Sequence, residues 1–202
     1  VLGSEALGLY NRAYQLLMFP ITNLRNPITV VAYPALSRLQ SSPAEFRHYF
    51  LKTTQLIGLL TMPVTALLFV VAEPLVAVAL GERWLPITPV FRLLAFAAFI
   101  QPAVGFVGSL LLSLGRSGRY LRTGLMTTTV YCVAFTLGVA HGTEGVALAY
   151  SIANYVLLFP YLFWALKDSP VSVRDFLGAC LMPTSLAVAG GIVTKIILGV
   201  LS

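Results

Sequence analysis

The residue with the most chemical reach in this sequence is an arginine in the middle of an apolar stretch. Arg25 lies within Leu9 to Ser37, LYNRAYQLLMFPITNLRNPITVVAYPALS, 29 residues that otherwise read as a membrane-spanning helix. A charge at bilayer depth costs at least ~2.5 kcal/mol on insertion scales, so such a side chain faces a bundle interior or a watery cavity, not lipid. Its guanidinium stays charged in a partly dry site and offers a fork of donors that matches phosphate oxygens. The chemistry this supports is recognition of an anion. At ~100° of rotation per residue, Asn11, Gln15, Thr22, Arg25, Asn26, Thr29 and Tyr33 fall within an arc of roughly 100°, one polar stripe along the helix. Pro20, Pro27 and Pro34, spaced by seven, lie on the opposite side, and each removes a backbone donor and strains the preceding turn. The spacing predicts a bent helix.

Other reactive side chains are few. His48, Glu73, Glu82, His141 and Glu144 stand near the edges of apolar segments without forming a constellation, and no Gly-rich phosphate loop, serine elbow, paired carboxylate or His/Cys/Asp cluster occurs. With almost no acid or base inside the spans, general acid–base catalysis has no equipment, so no enzyme activity, cofactor or metal is expected. Cys132 and Cys180 sit inside apolar segments and read as small core residues. Arg116, Arg119 and Arg122 read as a membrane anchor before a phosphate site. Asn154 and Tyr155 at mid-depth read as an interhelical hydrogen bond or as cavity lining.

The elements that position these residues follow from composition. The chain has 202 residues, 58% hydrophobic and 10% charged, against about 25% charged in a soluble domain. Mean hydropathy is +0.87. The net charge of +6 is scattered between apolar runs and includes no basic stretch suited to nucleic acid. The fold class is all-α, a polytopic membrane helix bundle of about six transmembrane helices, and residues 1–202 form a single membrane module. Predicted spans are 9–37, 53–80, 90–115, 123–141, 145–166 and 176–201. Ser42, Pro43 and Glu45 fit the capping box of a short amphipathic helix, lying in the interface or leading into span two. Gly138 and Gly142 have the spacing of a close helix contact. The connections after spans one, three and five hold eight lysines and arginines (Arg38, Arg47, Lys52, Arg116, Arg119, Arg122, Lys167, Arg174), whereas the opposite side holds four (Arg12, Arg83, Arg92, Lys195). That bias places the first set in the cytoplasm. The chain opens Val1-Leu2-Gly3 without an initiator methionine or a signal sequence, and reads as a piece of something longer.

The segments Leu7-Gly8-Leu9-Tyr10 with Ala13, Leu16 and Pro20; Tyr33-Pro34-Ala35-Leu36-Ser37-Arg38; Leu80-Gly81-Glu82-Arg83-Trp84; Leu114-Gly115-Arg116; and HGTEGVALAY up to Tyr150 occur in order. Together they resemble the polysaccharide exporters related to multidrug and lipid-linked oligosaccharide flippases, over Leu7 to about Ala165. The resemblance implies a two-lobed bundle of 12 to 14 helices that flips a lipid-linked sugar across the bacterial inner (cytoplasmic) membrane by alternating access. It also implies that this chain is most of the second lobe, with the N-terminal lobe as its missing partner. The expected substrate is an undecaprenyl-diphosphate-linked saccharide, bound by Arg25 with Asn11, Gln15, Asn26 and Tyr33. Arg25 as a structural bridge to carbonyls freed by neighbouring prolines is the competing reading. At the level of function the alternatives are a drug/cation antiporter of the same superfamily, which would want a mid-span carboxylate, and an integral membrane sugar or acyl transferase.

Overall fold

The computed structural model describes residues 4–201, which are helical apart from short connections. The side chains of Leu7 and Leu9 in the first motif lie outside the described residues. Helix α1 (Ser4–Arg38) keeps Pro20, Pro27 and Pro34 inside one 35-residue helix. At ~1.5 Å per residue it is about 52 Å long, more than a ~30 Å hydrocarbon core needs. Its buried face runs through Ala13, Leu17, Ile21, Ala32 and Leu36, each at most 2% exposed.

Helix α2 (Pro43–Val70) decides between the two expected readings of the amphipathic segment in favour of the one that leads into span two. Phe46, Phe50, Thr53, Thr54, Ile57, Thr61 and Thr65 are all buried, so one stripe continues through residue 52 without a change of phase. No break separates the amphipathic segment from span two. Phe50 stacks on Phe106 with ring centroids 5.2 Å apart. The buried hydroxyls of Thr54, Thr61 and Thr65 donate to carbonyls four residues back at 2.7–2.9 Å, which satisfies them without a partner helix. Pro43 occupies the first turn as expected, but Ser42 makes no side-chain cap bond.

The reciprocal cap forms instead at α8 (Val173–Leu201). The Ser172 amide donates to Asp175 Oδ2 at 3.0 Å and the Asp175 amide donates to Ser172 Oγ at 3.2 Å. Arg47 adds two bonds to the same carboxylate, Nη2 to Oδ1 at 2.6 Å and Nε to Oδ2 at 3.0 Å. These donors hold the Asp175 carboxyl well below the usual carboxylate range. The clamp is therefore complete above the ordinary value of ~3.9 and is lost only as pH falls through the depressed one, so docking of α8 on α2 is insensitive to pH between about 5 and 8. Farther along, α8 fits against α2 at Gly58, where an added Cβ would lie 3.1 Å from the Pro183 ring.

Two expected spans are broken. Span two continues past Val71 as α3 (Ala72–Leu80), with Pro74 in the first turn, where its missing N–H does no harm. Gly81 then turns the chain at φ +95° into a 3-10 turn, Glu82–Ile87. Span three is α4 (Thr88–Ala98) and α5 (Gln101–Ser113), bent by 42° at Phe99-Ile100. Helix α7 (Gly142–Leu166) braces this break: Tyr155 donates to the Phe96 carbonyl at 2.8 Å and Ser151 Oγ lies 2.7 Å from the Leu93 carbonyl. By length and hydropathy, α2, α7 and α8 are able to cross a membrane, and the bent α4–α5 pair makes a fourth. The two remaining long helices are α1 and α6 (Ser117–Val139), the two with the most polar faces.

Helices α6 and α7 form the expected hairpin, but its close contact is not the Gly138–Gly142 pair. Gly142 is the turn residue at φ +75°. Gly138 meets Gly145 across the turn: a Cβ on Gly138 would come within 2.7 Å of the Gly145 carbonyl oxygen, and one on Gly145 within 2.5 Å of that of Gly138. Backbone on both sides leaves no room to yield. Gly145→Val should therefore destabilise the protein by about 1–3 kcal/mol through overpacking, read as a lower thermal midpoint in detergent. Val substitution at Gly178, where an added Cβ meets nothing within 4 Å, serves as the control.

The apolar core is split into two clusters along the bundle. One gathers Ala13, Leu17 and Ile21 of α1 with α3, α4 and the start of α7, and the other gathers Ala32 and Leu36 with α2, α5, α8 and the end of α7. The seam between them falls at Arg25, at the α4–α5 break and at the middle of α7.

Candidate functional site

A cavity of about 330 Å3 opens at this seam, lined by α1, α5, α6 and α7. Arg25 and Thr22 enter it from α1, Gln101 and Gly105 from α5, Thr127 and Tyr131 from α6, and Asn154 and Tyr161 from α7. A larger groove of about 580 Å3 between α2, α4, α7 and α8 is apolar except for Thr65, Tyr155, Thr184 and Lys195. Ligand sites combine apolar walls with a few convergent polar groups. On that criterion the smaller cavity is the candidate.

Arg25 reaches the cavity because Gly105 has no side chain. A Cβ there would stand 3.0 Å from Arg25 Nη1. The guanidinium Nε is buried without a hydrogen-bond partner, and no carboxylate lines the cavity. Among the described residues, the ion pairs are Arg47 with Asp175, Arg92 with Glu73, and Arg119 with Asp168, none of which involves Arg25. A buried polar group left unpaired costs about 1–3 kcal/mol. The arginine is therefore not explained by the contacts of the helices around it.

The opposite wall is a fixed network. Tyr131 donates to Asn154 Oδ1 at 3.2 Å, Asn154 Nδ2 donates to the Tyr150 carbonyl at 3.1 Å, and Gln101 Nε2 donates to the Tyr150 hydroxyl at 2.7 Å. The Tyr131 and Tyr150 rings pack at 5.2 Å. Both readings of Asn154 are thus realised, a bond between α6 and α7 and a place in the cavity, while Tyr155 turns away to α4.

The polar stripe of α1 is not brought together as a unit. Arg25 and Thr22 line the cavity, whereas Asn11, Gln15, Asn26 and Tyr33 are exposed outside its lining. Arg25 sits at the edge of the stripe nearest the buried face. Gln15, Asn26 and Tyr33 follow ~80–100° farther round the helix. Thr22 and Thr29 donate to the carbonyls of Met18 and Arg25 at 2.8 and 3.1 Å, so their hydroxyl protons are engaged. Gln101, Thr127, Tyr131 and Tyr161 were not singled out in the sequence. For Thr127 and Tyr131 the signal there is the recurrence of Tyr120, Thr123, Thr127 and Tyr131 at helical spacing on α6; Gln101 and Tyr161 carry none.

The arginine cluster on the α5–α6 connection is structural in part. Arg116 donates to the carbonyls of Lys167 at 2.9 Å and Asp168 at 2.5 Å. Arg119 bonds the Lys167 carbonyl and the Asp168 carboxylate. They hold the α7–α8 turn, where Asp168 adopts φ +59°. Glu73 has the local ion-pair partner Arg92 at 3.8 Å, exposed on the surface.

Several known proteins resemble this chain in sequence or fold. The family described as Polysaccharide biosynthesis protein matches residues 1–89. The teichuronic acid biosynthesis protein TuaB of Bacillus subtilis (strain 168) is 31% identical over 116 residues, 57% of this chain and 24% of that protein. The lipopolysaccharide biosynthesis protein WzxC of Escherichia coli (strain K12) is 28% identical over 157 residues, 77% of this chain and 32% of its own length. Among solved structures, the lipid II flippase MurJ in an inward closed conformation has a TM-score of 0.71 at 15% identity, covering 96% of this chain and 46% of MurJ. The chain thus spans about a quarter to a third of these two curated relatives. Over α1 to the start of α4 the chain is thus similar to the polysaccharide biosynthesis proteins, and it shares its fold with MurJ.

Proposed function

We propose that this chain forms most of the second lobe of a transporter that flips a lipid-linked oligosaccharide or polysaccharide precursor across the bacterial inner membrane by alternating access. Arg25, unpartnered in a cavity without carboxylates, is the observation that carries the reading. A cationic drug would meet only like charge there. The diphosphate of an undecaprenyl-linked saccharide supplies the oxygens that a guanidinium fork binds. Asn11, Gln15, Asn26 and Tyr33, exposed beside the cavity, extend the polar path on the side where the first lobe would stand. Transport is then a rocking of two lobes about a site near the midplane.

The test uses the full-length protein in vesicles with a fluorescent polyprenyl-diphosphate oligosaccharide. A flippase changes the leaflet of the lipid and leaves its mass unchanged. A product of altered mass would instead make the protein a transferase.

A further inference from the structure

A second cleft, of about 450 Å3, adjoins the Arg25 cavity and shares Gly105, Thr127 and Tyr161 with it. Helix α5 contributes bare backbone to this cleft, at Gly105 and Gly108, and α6 contributes hydroxyls. The Tyr120 ring lies so close over Gly108 that an added Cβ would stand 2.9 Å from it. Thr123 and Thr127 each place their hydroxyl within 3.1 Å of a carbonyl of their own helix, so the proton is engaged there and the lone pairs remain as acceptors. No acidic or basic side chain lines the cleft.

A neutral cleft with hydroxyl acceptors, two tyrosine rings and a backbone floor has a narrow chemical fit. A hydrocarbon chain would leave the acceptor lone pairs of the threonines unused, a cation would find no carboxylate, and an anion would find its counter-charge only in the neighbouring cavity. A sugar ring uses both kinds of wall: its hydroxyls donate to threonine oxygens while its C–H face packs on a tyrosine ring or on Leu121 and Leu125, which also line the cleft. The volume also falls within the ~300–1,000 Å3 of small-molecule sites. We infer that the α5–α6 cleft is a saccharide subsite, holding a sugar of the substrate while Arg25 holds its phosphate. This rests on the transport reading above and adds to it the place where the glycan is recognised.

Gly124 gives a clean test. It lines the cleft, an added Cβ there meets nothing within 4 Å, and leucine favours a helix more than glycine does. Gly124→Leu therefore fills the cleft without disturbing the fold. Binding of full-length protein in detergent would be measured to polyprenyl diphosphate and to the same lipid carrying an oligosaccharide. Wild type should prefer the glycosylated lipid by about tenfold, the scale of one or two net hydrogen bonds. Gly124→Leu should lose that preference with unchanged affinity for the sugar-free lipid and no fall in thermal midpoint. Thr128→Val, which removes one hydroxyl from the lining, should lose part of the preference, and Thr128→Ser should keep it; this pair decides the matter if Gly124→Leu melts early. An undiminished preference in these variants, while Arg25→Ala still weakens binding of both lipids, would overturn the subsite and leave the transport reading standing. Failure of wild type to bind either lipid would overturn both.

Discussion

Arg25→Ala is expected to abolish export of surface polysaccharide by the full-length protein while the protein remains in the membrane at near-normal level. The reason is the balance of contacts around the guanidinium. Its Nε is buried without a partner and it makes no ion pair among the described residues, so truncation removes no stabilising bond seen in the folded lobe. What it removes, on the proposed function, is a charge-assisted bond to substrate, worth about 1.5–3 kcal/mol, or roughly 10- to 100-fold in affinity. Arg25→Lys keeps the charge but not the bidentate fork and should retain part of the activity. Gly105→Ala is a milder form of the same experiment, since its Cβ meets Arg25 Nη1 at 3.0 Å and forces the guanidinium to shift. Complementation of a flippase-deficient host, with membrane levels read by immunoblot, separates the outcomes. Loss of protein from the membrane in both Arg25 variants would make the residue a structural bridge.

If the chain is the second lobe proposed above, residues 1–202 expressed alone should restore no export, whereas co-expression with a first lobe as a separate chain should restore it. The exposed stripe of α1 is the physical reason. Asn11, Gln15 and Asn26 are open at the surface of this lobe, and amide groups facing hydrocarbon without partners cost several kcal/mol each. They need a facing wall that encloses a polar cavity, and the chain covers 46% of MurJ, whose fold it shares. Full restoration by the chain alone would mean that two copies face each other and that the half-transporter reading is wrong.

The helices, their breaks and the cavity residues differ in how legible they are in the sequence, for identifiable reasons. Helix order and type were legible because long apolar runs separated by charged turns leave few alternatives. The 42° break at Phe99-Ile100 was not, because both residues are apolar and Pro102 is acceptable in the first turn of α5 as well as inside a bent helix. Two Ser-x-x-acid signals, at Ser42 and Ser172, look equivalent in sequence. The second closes into a cap, its carboxylate also held by Arg47 from α2, a partner 128 positions away that local spacing cannot reveal. Arg25 was legible because an intramembrane charge is rare. Its neighbours Gln101, Tyr131 and Asn154 were not legible as a group, since they come from three helices and meet only at the seam between the two core clusters. Periodicity correctly grouped the α1 stripe, yet only its edge reaches α5.

The central claim, that Arg25 recognises the charged linker of a lipid-borne saccharide, is tested most directly by comparing two probes on the purified full-length protein. One is a polyprenyl-diphosphate oligosaccharide. The other is the same oligosaccharide on the same polyprenyl chain through an uncharged ether. Wild type should bind the diphosphate form more tightly by about 10- to 100-fold, and Arg25→Ala should bind the two alike, with the loss confined to the charged probe. Equal affinity of the wild type for both probes, or an equal loss for both in Arg25→Ala, would contradict the account.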